Sequence, residues 1–326
     1  MRRVLITGAA GFIGANLARR MLQDGQQVHV LTIVGESDWR LREIAGDLRR
    51  HTADLRDAGA VAALVRRVRP EWVFHLAAHG AYSWQDDVRR IFDTNLLGTM
   101  NLLEACAAAG VERFVNTGSS SEYGFKGRAA AEDTWLEPNS YYAVAKASAT
   151  LFCRYLAQSR KIPAVTLRLY SVFGPYEEPN RLMPSLIVYG MAGGYPPLVD
   201  PRVARDYVYV EDVVEAYRLA AAADHEPGAV YNVGTGVQTT LAELVALART
   251  VFALRGEPPW GSMPNRSWDS TTWQADIRKI AALGWRPQGS LESGFRRFVE
   301  WFRAEPWRPE HYRRHLSLDE ARSGAS

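Results

Sequence analysis

Tyr142 and Lys146 place a phenol and an ammonium four residues apart, on one face of a helix, where they can act as a single acid/base unit. Free tyrosine titrates at about 10 and is a poor base at neutral pH, so taking a proton from a hydroxyl calls for a cation beside the phenol. Tyr141 lies five positions from Lys146, projects from another side of the helix, and is the weaker candidate. A Tyr-x-x-x-Lys spacing also occurs on solvated helices, and two further motifs give it weight.

The apolar run Val4-Leu5-Ile6-Thr7 leads into Gly8-Ala9-Ala10-Gly11-Phe12-Ile13-Gly14 and then an Ala/Leu/Arg-rich helical stretch. Strand, glycine turn and helix follow in the order a dinucleotide site requires. Gly8 allows the tight turn, Gly11 lets the backbone approach a pyrophosphate, and Gly14 permits close helix packing, while the amides at Phe12 and Ile13 open the helix. The third motif, Asn116-Thr117-Gly118-Ser119-Ser120-Ser121-Glu122-Tyr123-Gly124, follows the strand-like Arg113-Phe114-Val115 and sets hydroxyls where open α/β sheets bind ligands.

Positioning these groups requires a layered scaffold. Strand-like runs at 4–7, 28–31, 72–76, 114–116 and 165–169 alternate with helical patterns at 58–68 and 88–109, which predicts right-handed crossovers and a doubly wound parallel sheet of the α/β class. From Tyr170 Pro and Gly become frequent and the alternation stops. The expected division is a Rossmann dinucleotide-binding domain over 1–169 and a smaller C-terminal lobe over 170–326. Thr240 and Glu243 form a capping box that opens a later helix. Residues 308–326 read as a surface helix or frayed tail.

The 326 residues, 47% hydrophobic, suffice for a large core. A net charge of +3 from 39 basic and 36 acidic residues, with no basic stripe, argues against a nucleic-acid partner. No signal-peptide or membrane-spanning run is found, so a cytoplasmic enzyme without a membrane partner is expected. Cys106 and Cys153 read as buried small hydrophobes, and His51, His75 and His79 lack ligand spacing, so no metal site is expected.

With Asp54-Leu55, His75-Leu76-Ala77-Ala78, Asn95-Leu96-Leu97-Gly98-Thr99, Gly174-Pro175, Arg205-Asp206-Tyr207-Val208-Tyr209-Val210-Glu211-Asp212 and Leu283-Gly284-Trp285, these motifs resemble the short-chain dehydrogenase/reductase superfamily, in its extended branch that modifies nucleotide sugars. The resemblance covers the chain to about Glu305. It implies that the lobe over 170–326 binds the substrate and that its segments interleave with the first domain. It also implies that Ser119 hydrogen-bonds the reacting sugar oxygen and relays a proton to Tyr142. Lys146 would hold the nicotinamide ribose and depress the tyrosine pKa. Asp54 would face the adenine, Leu55 and Asn95 would line the dinucleotide site, and Ala77 with Ala78 would allow its close approach. Arg205 matches the arginine that grips the diphosphate, and Arg266 stands where a second is expected. Ser120, Ser121 and Ser171 would line the sugar, Ser171 replacing the asparagine of many relatives.

Relatives that eliminate water carry Asp-Glu directly after the hydroxyl residue, and decarboxylases carry Glu two places on. Ser120 and Ser121 occupy those positions, which counts against both reactions. Glu122 would reach the site only if the loop bulged; otherwise it makes a loop hydrogen bond. No acid ends the second strand near Thr32, and Thr32 with Arg40 would accommodate a 2′-phosphate, so the cofactor is NAD or NADP. The resemblance implies a nucleotide-diphosphate-sugar 4-epimerase working through a 4-keto intermediate, with an NADPH-dependent 4-keto-sugar reductase as the alternative. A non-catalytic dinucleotide sensor is disfavoured by the intact Ser119, Tyr142 and Lys146. The apolar excess on helices over 88–109 and 139–156, including Leu96, Leu97, Met100 and Leu151, predicts a homodimer.

Overall fold

In the computed structural model, residues 1–82, 84–266 and 269–323 are described; Ser267 and Trp268, beside the Arg266 candidate, and residues 324–326 of the tail lie outside them. The first half runs β1 (Arg3–Thr7), α1 (Phe12–Gln23), β2 (Gln27–Thr32), β3 (Arg49–Thr52), α2 (Ala58–Val68), β4 (Trp72–His75), α3 (Val88–Phe92), α4 (Gly98–Ala109), β5 (Arg113–Ser119), α5 (Tyr141–Arg160) and β6 (Ala164–Leu169). Then come β7 (Ser171–Phe173), α6 (Leu182–Met191), β8 (Ala204–Arg205), β9 (Tyr207–Tyr209), α7 (Val210–Ala222), β10 (Val230–Val233), β11 (Thr239–Thr240), α8 (Leu241–Phe252), α9 (Arg278–Ala282), α10 (Leu291–Ala304) and α11 (Trp307–Ser323).

Seven parallel strands form one sheet in the order β10-β6-β5-β4-β1-β2-β3. Parallel strands need covering on both faces, which is why β1, β4 and β6 are nearly continuous apolar runs. Leu17, Met21, Val213 and Tyr217 cover one face, and Val61, Leu64, Leu102, Leu103 and Leu156 cover the other. The strand order reverses direction between β1 and β4, so a crevice opens at their C-terminal ends, where this architecture takes its ligand.

One part of the expected layout differs. β3 is Arg49-Arg50-His51-Thr52, too polar to read as a strand, yet it pairs in register with β2 as the exposed edge, where charge blunts further pairing. The segments after 169 do interleave with the first domain: α7 and β10 return to the sheet, β10 pairing with β6.

The lobe proper is a third core of Phe173, Met183, Ile187, Leu244, Phe298 and Phe302. On α10, Phe295, Phe298, Val299 and Phe302 recur at helical spacing and present one apolar stripe to it. The Thr240/Glu243 capping box opens α8, Thr240 Oγ1 accepting from Glu243 N–H at 3.2 Å. The tail is no frayed end: α11 docks, with Tyr312 fully buried and its hydroxyl donating to Glu177 O at 2.7 Å. Among the described residues no helix is long and apolar enough to cross a membrane, and no three His, Cys, Asp or Glu side chains gather as a metal site. Cys106 and Cys153 are buried free thiols.

Candidate active site

The glycine turn bends at Gly8, whose φ of +67° an L side chain rarely adopts and whose absent Cβ would lie 2.6 Å from Ala77 N. At Gly14 a Cβ would stand 2.2 Å from Gly8 O, so only glycine lets α1 begin this close to the turn. Gly11 caps α1 without any side-chain acceptor, leaving the amides of Phe12, Ile13 and Gly14 for an anion at the positive helix end. This cradle fits the pyrophosphate of a dinucleotide.

Around it, Thr32 ends β2 with its hydroxyl donating to His51 O at 3.4 Å. Arg40, expected to accommodate a 2′-phosphate, is engaged within the protein. It is buried, donating to Tyr176 O at 2.7 Å, Glu178 Oε2 at 2.9 Å and Ala10 O at 3.4 Å, and it clamps the lobe loop onto the first domain. Asp54 binds Arg56, whose hydrogen bond holds the carboxyl below its usual range. Leu55 is buried and Ala77 half-buried, Ala77 N–H donating to Thr7 Oγ1, while Ala78 is exposed. Asn95 is fully buried with both ends of its amide on the His79 backbone, at 2.8 and 2.7 Å. Its role is to fix the loop after β4, from a π-helical turn at Asp93–Leu97 that joins α3 to α4.

The catalytic candidates meet at the ends of β5 and α5. Ser140 caps α5, its hydroxyl accepting from Ala143 N–H at 3.1 Å, which fixes the turn carrying Tyr142; Tyr141 points outward, 61% exposed. The Ser119 side chain faces the Tyr142 phenol closely enough to favour its ionised form, and its hydroxyl lies 2.8 Å from Ser121 Oγ. Burial pushes the Tyr142 pKa up to about 12, partly offset by the Ser119 side chain and by the Arg181 cation. Arg181, which the sequence did not single out, is thus a cation that eases this phenol. Lys146 is buried, which lowers its pKa, and Glu122 opposes that shift. Thr7, His75 and Thr99 form a buried hydroxyl–imidazole–hydroxyl chain at 2.7 and 2.9 Å, and burial followed by Lys146 pushes His75 down to about 3, so its ring is neutral.

Glu122 is no catalytic acid. It has no exposed surface, and it accepts from Ser119 N–H at 2.8 Å, Thr150 Oγ1 at 3.0 Å and Arg168 Nε at 2.8 Å.

Above this floor, Arg205 donates to Asp269 Oδ1 at 2.8 Å, and its guanidinium lies 5.3 Å from the Trp273 ring centre. Arg266 stands near enough to Asp269, Arg205 and Arg181 to feel their charges. Arg181, at the start of α6, sits 5.3 Å from the centre of the Tyr82 ring. Asp206 accepts from Thr235 N, Thr235 Oγ1, Gly236 N and Ala275 N and ties the loops beneath these arginines. Ser171 lies on β7 opposite Tyr207. Tyr176 takes the left-handed φ of +69°, held by Arg19 stacked 3.9 Å over its ring and by a bond to Glu43, and so turns Glu177 inward. Arg181, Trp273, Tyr82 and Glu177 were missed in the sequence, since no spacing rule links them. A groove of about 510 Å³ opens elsewhere, near Arg154, Glu226 and Lys279, and holds none of these groups.

A sheet with a glycine-lined switch point and a Ser–Tyr–Lys constellation defines a dinucleotide-dependent dehydrogenase class. The chain belongs to the NAD dependent epimerase/dehydratase family, whose model matches residues 4–234. It is 32% identical over 318 residues to a UDP-glucose 4-epimerase of Mycolicibacterium smegmatis, covering 92% of this chain and 98% of that one. It is 28% identical over 323 residues to a trifunctional UDP-glucose 4,6-dehydratase/UDP-4-keto-6-deoxy-D-glucose 3,5-epimerase/UDP-4-keto-L-rhamnose-reductase of Arabidopsis thaliana, matching 94% of this chain but spanning only 48% of that relative. Among solved structures, the Thermus thermophilus UDP-glucose 4-epimerase in complex with NAD superposes with a TM-score of 0.83 at 32% identity, covering 92% and 99% of the two chains.

Proposed function

We propose that this protein is an NAD-dependent nucleotide-sugar 4-epimerase. The observation that carries it is a hydroxyl–phenol–ammonium site in which the two positions after Ser119 are the neutral Ser120 and Ser121, and the next carboxylate along the loop, Glu122, is locked to Arg168. Arg205 and Arg266, joined by Arg181, hold the diphosphate with planar guanidinium groups. Ser119 orients the C4 hydroxyl, and Tyr142 takes its proton and later returns it; Lys146 steadies the ribose side. NAD, held at the Gly8–Gly14 turn, would supply the hydride acceptor and donor for C4. The reductase alternative loses one of its two supports, since the Arg40 guanidinium is committed to Tyr176 and Glu178, while Thr32 still leaves the end of β2 without an acid.

Exposed Leu97, Val144, Leu151 and Tyr155 on α3–α4 and α5 favour a homodimer through these helices, and the buried thiols suit a reducing cytoplasm. The test is incubation with UDP-glucose and NAD, following UDP-galactose. Interconversion without net NADH is expected, with Tyr142→Phe inactive and Ser119→Ala slower on the order of a hundred-fold. Stoichiometric consumption of NADPH, or a 4-keto-6-deoxy product, overturns the reading.

A further inference from the structure

Trp273 lies outside every helix and strand, yet it is pinned on three sides. Its backbone N–H donates to Gln238 Oε1 at 2.8 Å, Gln238 Nε2 in turn donates to Thr271 O at 2.8 Å, and Arg205 stacks on its ring. Its indole Nε1–H donates to Ser120 Oγ at 3.1 Å. An indole N–H can only donate, so Ser120 Oγ must accept, and the serine's own proton is left for another acceptor. Ser120 is only 6% exposed, and among the described residues its hydroxyl has no second partner. A buried donor without an acceptor is costly, which marks the direction in which a ligand oxygen belongs.

We propose that Trp273 is a positioning residue that makes Ser120 an obligate hydrogen-bond donor to a sugar oxygen flanking the reacting carbon. The inference rests on the 4-epimerase reading. Ser119 addresses the reacting oxygen, and the next residue along the chain reaches one carbon further, to the C3 hydroxyl or the exocyclic C6 oxygen. Because the same indole carries Arg205, the diphosphate grip and the sugar grip share one side chain.

The test compares wild type, Ser120→Ala, Trp273→Phe and Trp273→Leu on UDP-glucose and its 3-deoxy and 6-deoxy analogues. Trp273→Phe keeps the ring, so UDP binding should stay within about two-fold while kcat/KM on UDP-glucose falls about ten-fold. Trp273→Leu should weaken UDP binding as well. On one of the two deoxy analogues, wild type should already be about ten-fold slower, with neither Ser120→Ala nor Trp273→Phe adding a further loss. Equal losses on all three substrates, or wild-type turnover in Trp273→Phe, overturn the proposal. If wild type binds UDP-glucose without epimerising it, the epimerase reading fails, and the same comparison on dissociation constants still decides the role of Trp273.

Discussion

Glu122 Oε2 lies 2.8 Å from Arg168 Nε, and both side chains are sealed from solvent. With its bonds to Ser119 N–H and Thr150 Oγ1, this one carboxylate fastens Ser119, the proposed catalytic hydroxyl, to both α5 and β6. Removing one partner of such a pair strands a buried charge. Arg168→Met should therefore cost about 3–5 kcal/mol in denaturant unfolding. Adding Glu122→Leu should recover much of that stability without restoring kcat, since Ser119 loses its cap. A cost below ~1 kcal/mol in Arg168→Met would refute the stated role.

Arg40 holds the lobe loop, so Arg40→Ala should weaken NAD and NADP binding alike and lower the thermal midpoint. Thr32→Asp places a carboxylate where a 2′-phosphate would lie, and should favour NAD over NADP by at least ten-fold, about 1.4 kcal/mol. Dissociation constants for both dinucleotides check the pair. A loss confined to NADP in Arg40→Ala would return that residue to the cofactor site.

Burial pushes Glu177 up to about 8, with Arg181 opposing. A carboxyl raised in the folded state from an ordinary value of 4.5 favours folding fully below pH 4.5 and loses that contribution as pH rises to about 8. Glu177→Gln should thus stabilise the protein by on the order of 4 kcal/mol at pH 8 and by little near pH 4.5. Thermal midpoints across that window would show it, and a gain independent of pH would contradict it.

Leu151 is 55% exposed and Leu97 46%, on neighbouring helices. If these helices pair two copies, Leu97→Glu with Leu151→Glu should give a monomer by light scattering at micromolar concentration. An unchanged mass places the interface elsewhere, and a monomeric wild type removes the dimer.

What the sequence disclosed was local. The β1–turn–α1 unit and the Tyr142/Lys146 helix carry their own chemistry in contiguous residues, so spacing reveals them. β3 and β10 escaped notice because a polar edge strand and a strand within a Pro/Gly-rich stretch lack an alternating or long apolar run. The setting of Arg40 stayed hidden for a tertiary reason, as two of its three acceptors lie more than 130 positions away. Trp273, likewise, meets Ser120 across 153 positions, a distance no motif spans.

The return of α7 and β10 to the first sheet has a consequence for how the chain is made. The α1 face with Leu17 and Met21 packs against α7, almost two hundred residues later. At a ribosomal pace of about 5–20 residues per second, that apolar face waits roughly 10–40 s for its cover. The nascent dinucleotide half is sticky during this interval. A release at residue 169 should leave this face bare and the fragment aggregating, whereas a release after β10 should bury it and leave only the third core open, so chaperone demand from the α1 face would end before the last third of the message is fully read.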